Sequence, residues 1–370
     1  MMAIGAKRSG GARRARKATT GMALGRRRAA GRRTGAARRV GSKVKPGRRA
    51  AATRTVVRWR REGVKLGSAW RNAHPSGAKE GLRDEALRHW RSVARTGASD
   101  ARPTSWPYWK TAGLAFARGV REGAGIAVPI MPIALGGKAA AVVHAGTDPG
   151  ALSSALAQLS ELPLEEIVVV LGDAQEELWS AARACANAVV AHLPHELEPG
   201  VGRALGAQLT GADIVLFVDG HRPVPAEELA AFLWRCDGGL DAALNDCAAG
   251  DDPFHRRGAA RWMKEFLNLS LGRPDLKTNA LDTLPFALSR KALDAVGAAS
   301  LAALPKAHAA LLLRGLKVGI GGRAPWTAQP AEGAAGEYAE AWREAIAAKG
   351  PRLQFQDKVR NRSVLGGSGL

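Results

Sequence analysis

The sequence predicts an α/β protein: a mostly parallel, Rossmann-like sheet sandwiched by helices, preceded by a disordered basic tail and a small helical extension. Two observations predict the sheet. From residue 139 onward, short runs of Val, Ile, Leu and Ala alternate with segments long enough for helices. Those runs are apolar at consecutive positions, as strands are when both faces of a parallel sheet are covered. A third observation separates the tail. Of 55 Lys and Arg, 21 lie in residues 1–61, which contain no acid, so the rest carries 34 bases against 33 acids.

The tail is built of Gly, Ala and Arg with almost no large apolar residue. Such a segment buries too little surface to offset its ordering entropy, which predicts disorder over residues 1–61. Its charge suits nucleic acid, anionic lipid or an acidic polymer; a solubilising arm with no fixed partner is an equal reading. It has no continuous apolar run, so it does not read as a secretory signal. An acid-free, Arg-rich start has the composition of an organelle transit peptide, but its glycines argue against an amphipathic helix.

Residues 62–137 form the predicted extension and linker. Trp59, Trp70, Trp90, Trp106 and Trp109 are half of the ten tryptophans in the chain. Leu82, Ala86, Leu87, Trp90, Val93 and Ala94 fall at helical spacing in "GLRDEALRHWRSVAR", and Trp109, Leu114, Phe116 and Val120 do so in the next segment. Aromatics packed on the main body are one reading; an aromatic, cationic surface for a membrane or partner is the other. "VPIMPIALGGK" is then an extended connector.

Residues 138–330 hold the sheet. "AAAVVHA", "EEIVVVLG", "AVVAHL" and "ADIVLFV" are strands, each of the first three followed by a helix. A helix and tail are expected over 331–370. Cys185, Cys236 and Cys247 are odd in number and show no metal spacing, which predicts reduced thiols in a cytoplasmic protein. No apolar run approaches the roughly 20 residues of a membrane span. Localisation peripheral to an anionic surface would come from the tail.

In such sheets ligands bind beyond the carboxyl ends of the strands. That rule singles out residues 144–148, Gly172 with Asp173, and residues 219–221. The segment "GADIVLFVDGH" runs five apolar residues into Asp219, Gly220 and His221. Taken alone it is a turn, or it is a site for a metal ion.

Four stretches in order, "AAAVVHAGTDPGALSSALAQL", "LEEIVVVLGDAQEE", "GVGRALGAQLTGADIVLFVDGH" and "PFALSRKALDAVG", resemble the family 2 glycosyltransferases over residues 138–323. The resemblance implies the type A (GT-A) fold of nucleotide-diphosphosugar transferases. It implies a hexosyltransferase of bacterial type, inverting and metal-assisted, with a nucleotide-diphosphosugar donor and an unidentified glycan, protein or small-molecule acceptor. Asp219 then stands first in the Asp-X-Asp motif, with His221 in place of the second acid. The pair would ligate Mn2+ or Mg2+; imidazole suits manganese better than magnesium. Ala145, Gly146, Gly172, Asp173, Arg203 and Asp219 would contact the nucleotide-sugar, although Arg203 also reads as a surface arginine. Asn245 and Asp246 end a further strand, facing sugar and acceptor or merely capping it.

The family commonly takes the acceptor proton with a carboxylate in a late Glu-Asp pair. This chain has no such pair: it offers Lys306 and His308 there. His308 is a candidate base, since imidazole titrates near neutrality, or a helix-face histidine without chemistry. Asp246, Asp251 and Asp282 are the substitute carboxylates. The absent acids motivate two competing functions: a transferase-like protein that binds a nucleotide-sugar or glycan, or aids assembly, without catalysis, and a polyanion binder working through its tail.

Overall fold

The structure, a computed structural model, describes residues 46–75, 81–96, 105–172, 175–248, 253–325 and 331–355. Most of the basic tail, together with Asp173 and Asp251, lies outside the described residues. The tail expectation is corrected at its end, because helix α1 (Pro46–Ala73) already spans residues 46–61. Arginine density hid an apolar face there: Trp59 is only 4% exposed and meets Trp90 and Trp109.

α1 packs on α3 (Trp106–Ala124) backbone to backbone. Gly63 and Gly67 face Gly119 and Gly123, and a Cβ at any of the four would overlap main-chain atoms of the opposite helix. Small residues four apart on both helices permit this approach. α2 (Leu82–Thr96) buries Leu82, Ala86, Trp90 and Ala94, one face at helical spacing. The aromatics of the extension thus form a core with Phe116 and Val120. The extension is fastened to the sheet domain by Arg83, which donates to the Ser160 and Leu162 carbonyls, and by a Lys110–Glu227 ion pair at 3.1 Å.

The sheet is built from β1 (Ala139–His144), β2 (Glu166–Gly172), β3 (Ala188–Leu193), β4 (Ile214–Asp219), β5 (Ala242–Asn245), β6 (Phe286–Ser289) and β7 (Val318–Gly322). Their order is β3-β2-β1-β4-β6-β5-β7. Only β6 is antiparallel to its neighbours. Because β6 opposes both β4 and β5, those two run the same way, and β1, β2, β4 and β5 all end on one edge. This is an α/β fold with a mostly parallel sheet between helices, as the sequence predicts; apolar runs carry no mark of strand direction, so the reversal of β6 shows only in the structure.

Alternation within each apolar run feeds two cores. Val143, Val169, Leu216 and Val218 face α4 (Pro149–Ser160), α5 (Glu176–Arg183) and α7 (Ala226–Asp237). Val142, Val168, Val215 and Phe217 face the other layer: α6 (Pro199–Leu209), α8 (Ala259–Ser270), α9 (Arg290–Val296), α10 (Leu304–Leu313) and α11 (Ala331–Lys349). Each such side chain contributes about 1.5–3 kcal/mol by its burial. Among the described residues no helix is long and apolar enough to cross a membrane.

Candidate functional site

Three elements meet at the shared strand edge. β1 and β4 are parallel neighbours in a register that sets His144 beside Asp219. The chain turns sharply after each: Gly220 N–H donates to the His144 carbonyl at 2.9 Å, and a Cβ on Gly220 would press on the His144 and Ala145 carbonyls. α6 crosses above them. Gly206 leaves space for Val142 and Gly202 lies against the His144 ring, so this helix lies directly on the strand and brings Arg203 to its end. Gly202 and Gly206 of "GVGRALGA" therefore serve contact with β1, while Gly200 lies against the Ala302 carbonyl.

Arg203 is 8% exposed, yet its guanidinium makes no hydrogen bond or ion pair among the described residues; its Nε is buried and unpartnered. Burial pulls its pKa down, while the charges of Glu337, Asp219 and Asp282 oppose the fall. The His144 Nδ1 is likewise buried without a partner. Burial first, then the Arg203 charge, lowers that histidine's pKa, which keeps it neutral. A buried cation without a hydrogen-bonded partner is costly even with those carboxylates nearby. Its position beside an open carboxylate makes sense if an anion completes it.

His221 and Asp219 form the open side, their side chains 44% and 34% exposed. The His221 Nδ1–H donates to Asp219 Oδ1 at 3.1 Å, and the Thr147 N–H donates to His221 Nε2 at 3.2 Å. That bonding assigns the ring its neutral tautomer. The ring lies over Gly146, whose φ of 70° and lack of Cβ make room for it. Both ring nitrogens are thus engaged, and Nε2 must leave Thr147 before it can bind a metal.

No group of three or more His, Cys, Asp or Glu side chains among the described residues is arranged to hold a metal ion. A hard cation needs about six oxygen ligands, and magnesium at nucleotide sites takes one or two carboxylates with phosphates and waters. The donor set here fits that second pattern: Asp219 offers one carboxylate, its Oδ2 accepting no bond among the described residues. The remaining ligands would arrive with a diphosphate and solvent.

The other residues singled out from the sequence separate into two groups. Ala145 is buried, with its N–H donated to the Val170 carbonyl, and Gly146 carries the His221 ring. Asp246, half-buried, follows β5 on the same edge, its N–H donated to the Gly322 carbonyl. Gly172 is closed over by Leu197 and the His195 carbonyl. Asn245 is a fully buried pin: Nδ2 donates to the Leu284 and Ala324 carbonyls and Oδ1 accepts from the Ala324 N–H. Asp282 is held by Lys264 at 2.8 Å and by the Tyr338 hydroxyl at 3.0 Å. Lys306 pairs with Glu344.

His308 is a correction to the sequence reading. It is 0% exposed, and its Nε2–H donates to Asn268 Oδ1 at 2.7 Å. Asn268 Nδ2 donates to the Lys277 and Asn279 carbonyls, which fixes the amide and with it the imidazole tautomer. Burial pulls the His308 pKa down to about 4. A sealed, neutral imidazole cannot reach an acceptor hydroxyl. Asn279 in turn accepts from the Cys247 and Ala248 N–H groups, so this chain of bonds holds the loop after β5.

Glu337 of α11 was missed, because α11 lies beyond the stretch of resemblance. It is half-buried near Arg203 and Asp282, and burial raises its pKa. His144 fell inside the window after β1, but its orphaned nitrogen is a property of packing.

No protein-family model matches the chain, and no curated protein matches it. Solved structures similar to it include glucosyl-3-phosphoglycerate synthase from Mycobacterium tuberculosis in complex with Mn2+, uridine-diphosphate and phosphoglyceric acid. That match is 15% identical, covers 68% of this chain and 84% of that one, and has a TM-score of 0.43. Mannosyl-3-phosphoglycerate synthase from Rubrobacter xylanophilus is 16% identical over 62% of this chain and 80% of that one, with a TM-score of 0.42.

Proposed function

We propose that the chain is a glycosyltransferase that moves a sugar from a nucleotide-diphosphate donor to an acceptor hydroxyl. The observation that carries this reading is the buried Arg203 guanidinium, without a hydrogen-bonded partner, beside Asp219 at the aligned ends of β1 and β4. Arg203 would take a diphosphate oxygen by a charge-assisted bond, and His144, held neutral, would offer a further polar contact. Asp219 would hold the divalent cation, manganese or magnesium. When bound, that ion would neutralise the two phosphates and stabilise them as a leaving group. His221 would join it only by giving up Thr147.

With inversion, the acceptor oxygen bonds to the anomeric carbon as the bond from that carbon to the diphosphate oxygen breaks. The acceptor proton then needs a base. Asp246 is the residue we assign to it. It lies on the correct sheet edge, whereas Asp282 is tied to Lys264 and Tyr338 and His308 is sealed. The test is hydrolysis and transfer from a panel of nucleotide sugars with manganese. Turnover that collapses in Asp219→Ala and Asp246→Asn supports the reading, and wild-type-like turnover in Asp219→Ala refutes it.

A second reading is favoured by one feature. The imidazole of His221, tied between Asp219 and Thr147, stands where the second acid would be. A transferase-like protein that binds a nucleotide-sugar without turnover would show saturable nucleotide binding and no hydrolysis of any donor. Attraction of the basic segment to polyanions or anionic surfaces is a separate proposal. It predicts binding that weakens steeply with salt and disappears on deletion of residues 1–45.

A further inference from the structure

The two outer strands of the sheet are finished differently. β7 is protected by devices that natural edge strands use against unwanted pairing. Its ladder with β5 is broken by a register shift at Leu244 and Asn245, and the Arg273 guanidinium donates to the Val318 carbonyl at 2.8 Å. Lys317 and Arg323 flank it. β3, at the other end of the strand order, has none of these. Its residues, Ala188–Leu193, include no Asp, Glu, Lys, Arg or Pro, and Val189 is 42% exposed.

The phase of the β2–β3 ladder shows which groups are left open. The Ile167 N–H donates to the Asn187 carbonyl at 2.9 Å, and Ile167 stands opposite Ala188 in the parallel register. In a parallel ladder the following bonds to β2 fall on Val189, Ala191 and Leu193. The N–H and C=O groups of Val190 and His192 therefore point away from β2. No strand lies beyond them, and among the described residues no turn or loop supplies them a backbone partner. Edge groups of this kind are a template for another strand.

Side chains and charge identify the occupant. Ala191 and Leu193 pack toward the α6 layer, with Val189 on the same face by alternation. Val190 and His192 face α5, where Trp179 lies 4.7 Å from the His192 ring. Let β3 of a second copy run antiparallel with Ala191 on the two-fold axis. Val190 of each copy then faces His192 of the other, and each pair exchanges both of its backbone bonds. The same register sets Val189 against Leu193 of the second copy and Ala191 against itself, so apolar meets apolar on the α6 side. Arg183 precedes the strand and Glu196 follows it, and both are exposed. Antiparallel pairing carries the basic end of one copy to the acidic end of the other; parallel pairing would bring like ends together.

We propose that β3 is a self-association edge, pairing antiparallel with β3 of a second copy of the chain so that the two sheets run into one across a two-fold axis. β2 and β1 separate this edge from Asp219 on β4. The pairing therefore does not depend on the transferase reading, and a binding protein with no turnover would possess it equally.

The test is sedimentation equilibrium of the full chain over a concentration series, read beside hydrogen exchange of the peptide that covers β3. A dimer is expected, with exchange at Val190 and His192 slowing as concentration rises. His192→Pro removes an outward N–H without touching a bond to β2, and Val189→Lys sets a charge against Leu193 of the second copy. Each should weaken association about tenfold or more while melting like the wild-type monomer. If His192→Pro does not fold, Val189→Lys, at an exposed position, decides alone. A wild type that stays monomeric throughout overturns the proposal and leaves the edge to a strand of another protein. A dimer undiminished in Val189→Lys, or one whose β3 exchange ignores concentration, overturns it as well, because another face must then join the copies.

Discussion

Two polar clusters of the sheet domain, one around Asn268 and one at the ends of β1 and β4, differ in how open they are to solvent. Around Asn268, the amide joins His308 to the Lys277 and Asn279 carbonyls, and Asn279 accepts from Cys247; one atom, His308 Nδ1, is buried there without a partner. At the ends of β1 and β4, Asp219 and His221 are open and the Arg203 and His144 nitrogens behind them stay unpaired. Both clusters leave one histidine nitrogen unmet; what separates them is access, since Asp219 and His221 are open while His308 is fully buried. The number of histidines or acids in each region does not reveal which is which.

Four substitutions or conditions sharpen that contrast. Asn268→Leu should cost most, on the order of 4 kcal/mol, because it strands His308 Nε2 and two carbonyls. Denaturant unfolding checks the cost, and nucleoside diphosphate affinity should stay within about threefold of wild type at temperatures where the variant is folded.

Acid should act on the same cluster. His308 has a folded pKa pulled down to about 4 from 6.5. Below pH 6.5 the unfolded chain takes up a proton that the folded chain refuses, so stability present above that pH is lost as pH falls toward 4. At 1.36 kcal/mol per unit the loss is about 3 kcal/mol. Melting temperatures across pH 4 to 7 should fall less toward acid in His308→Gln than in wild type.

The open cluster should respond in the opposite manner. Arg203→Met removes a buried charge that has no hydrogen-bonded partner, so ligand-free stability should change by no more than about 1 kcal/mol, while diphosphate affinity drops roughly thirtyfold. A large stability loss with unchanged affinity would make Arg203 a structural residue. The smallest effect belongs to His221→Asp, which should strengthen magnesium-dependent binding by about fivefold. An unmoved magnesium dependence would place the imidazole outside the metal's ligands.

The sequence foretold most of what depends on local pattern. Unbroken Val and Ile runs predicted the parallel strands, and the Asp219 turn was located from the strand that precedes it. Burial of Leu82, Ala86 and Trp90 followed from helical spacing. What depends on packing across the chain escaped. Residues 46–61 were assigned to the tail because arginine density outweighed a narrow apolar face. The paired glycines at 63, 67, 119 and 123 were visible as spacings, but only the folded helices show that they meet. His308 had the right residue type near the right place and lies in the wrong environment. Glu337 lies on a helix that the resemblance did not reach.

Calorimetric titration of the wild type and Asp219→Ala with UDP, in the presence and absence of manganese, tests the central claim most directly. The account predicts saturable binding by the wild type that manganese strengthens, and loss of the manganese effect in a variant that melts like the wild type. Identical manganese-dependent titrations for the two proteins would contradict it.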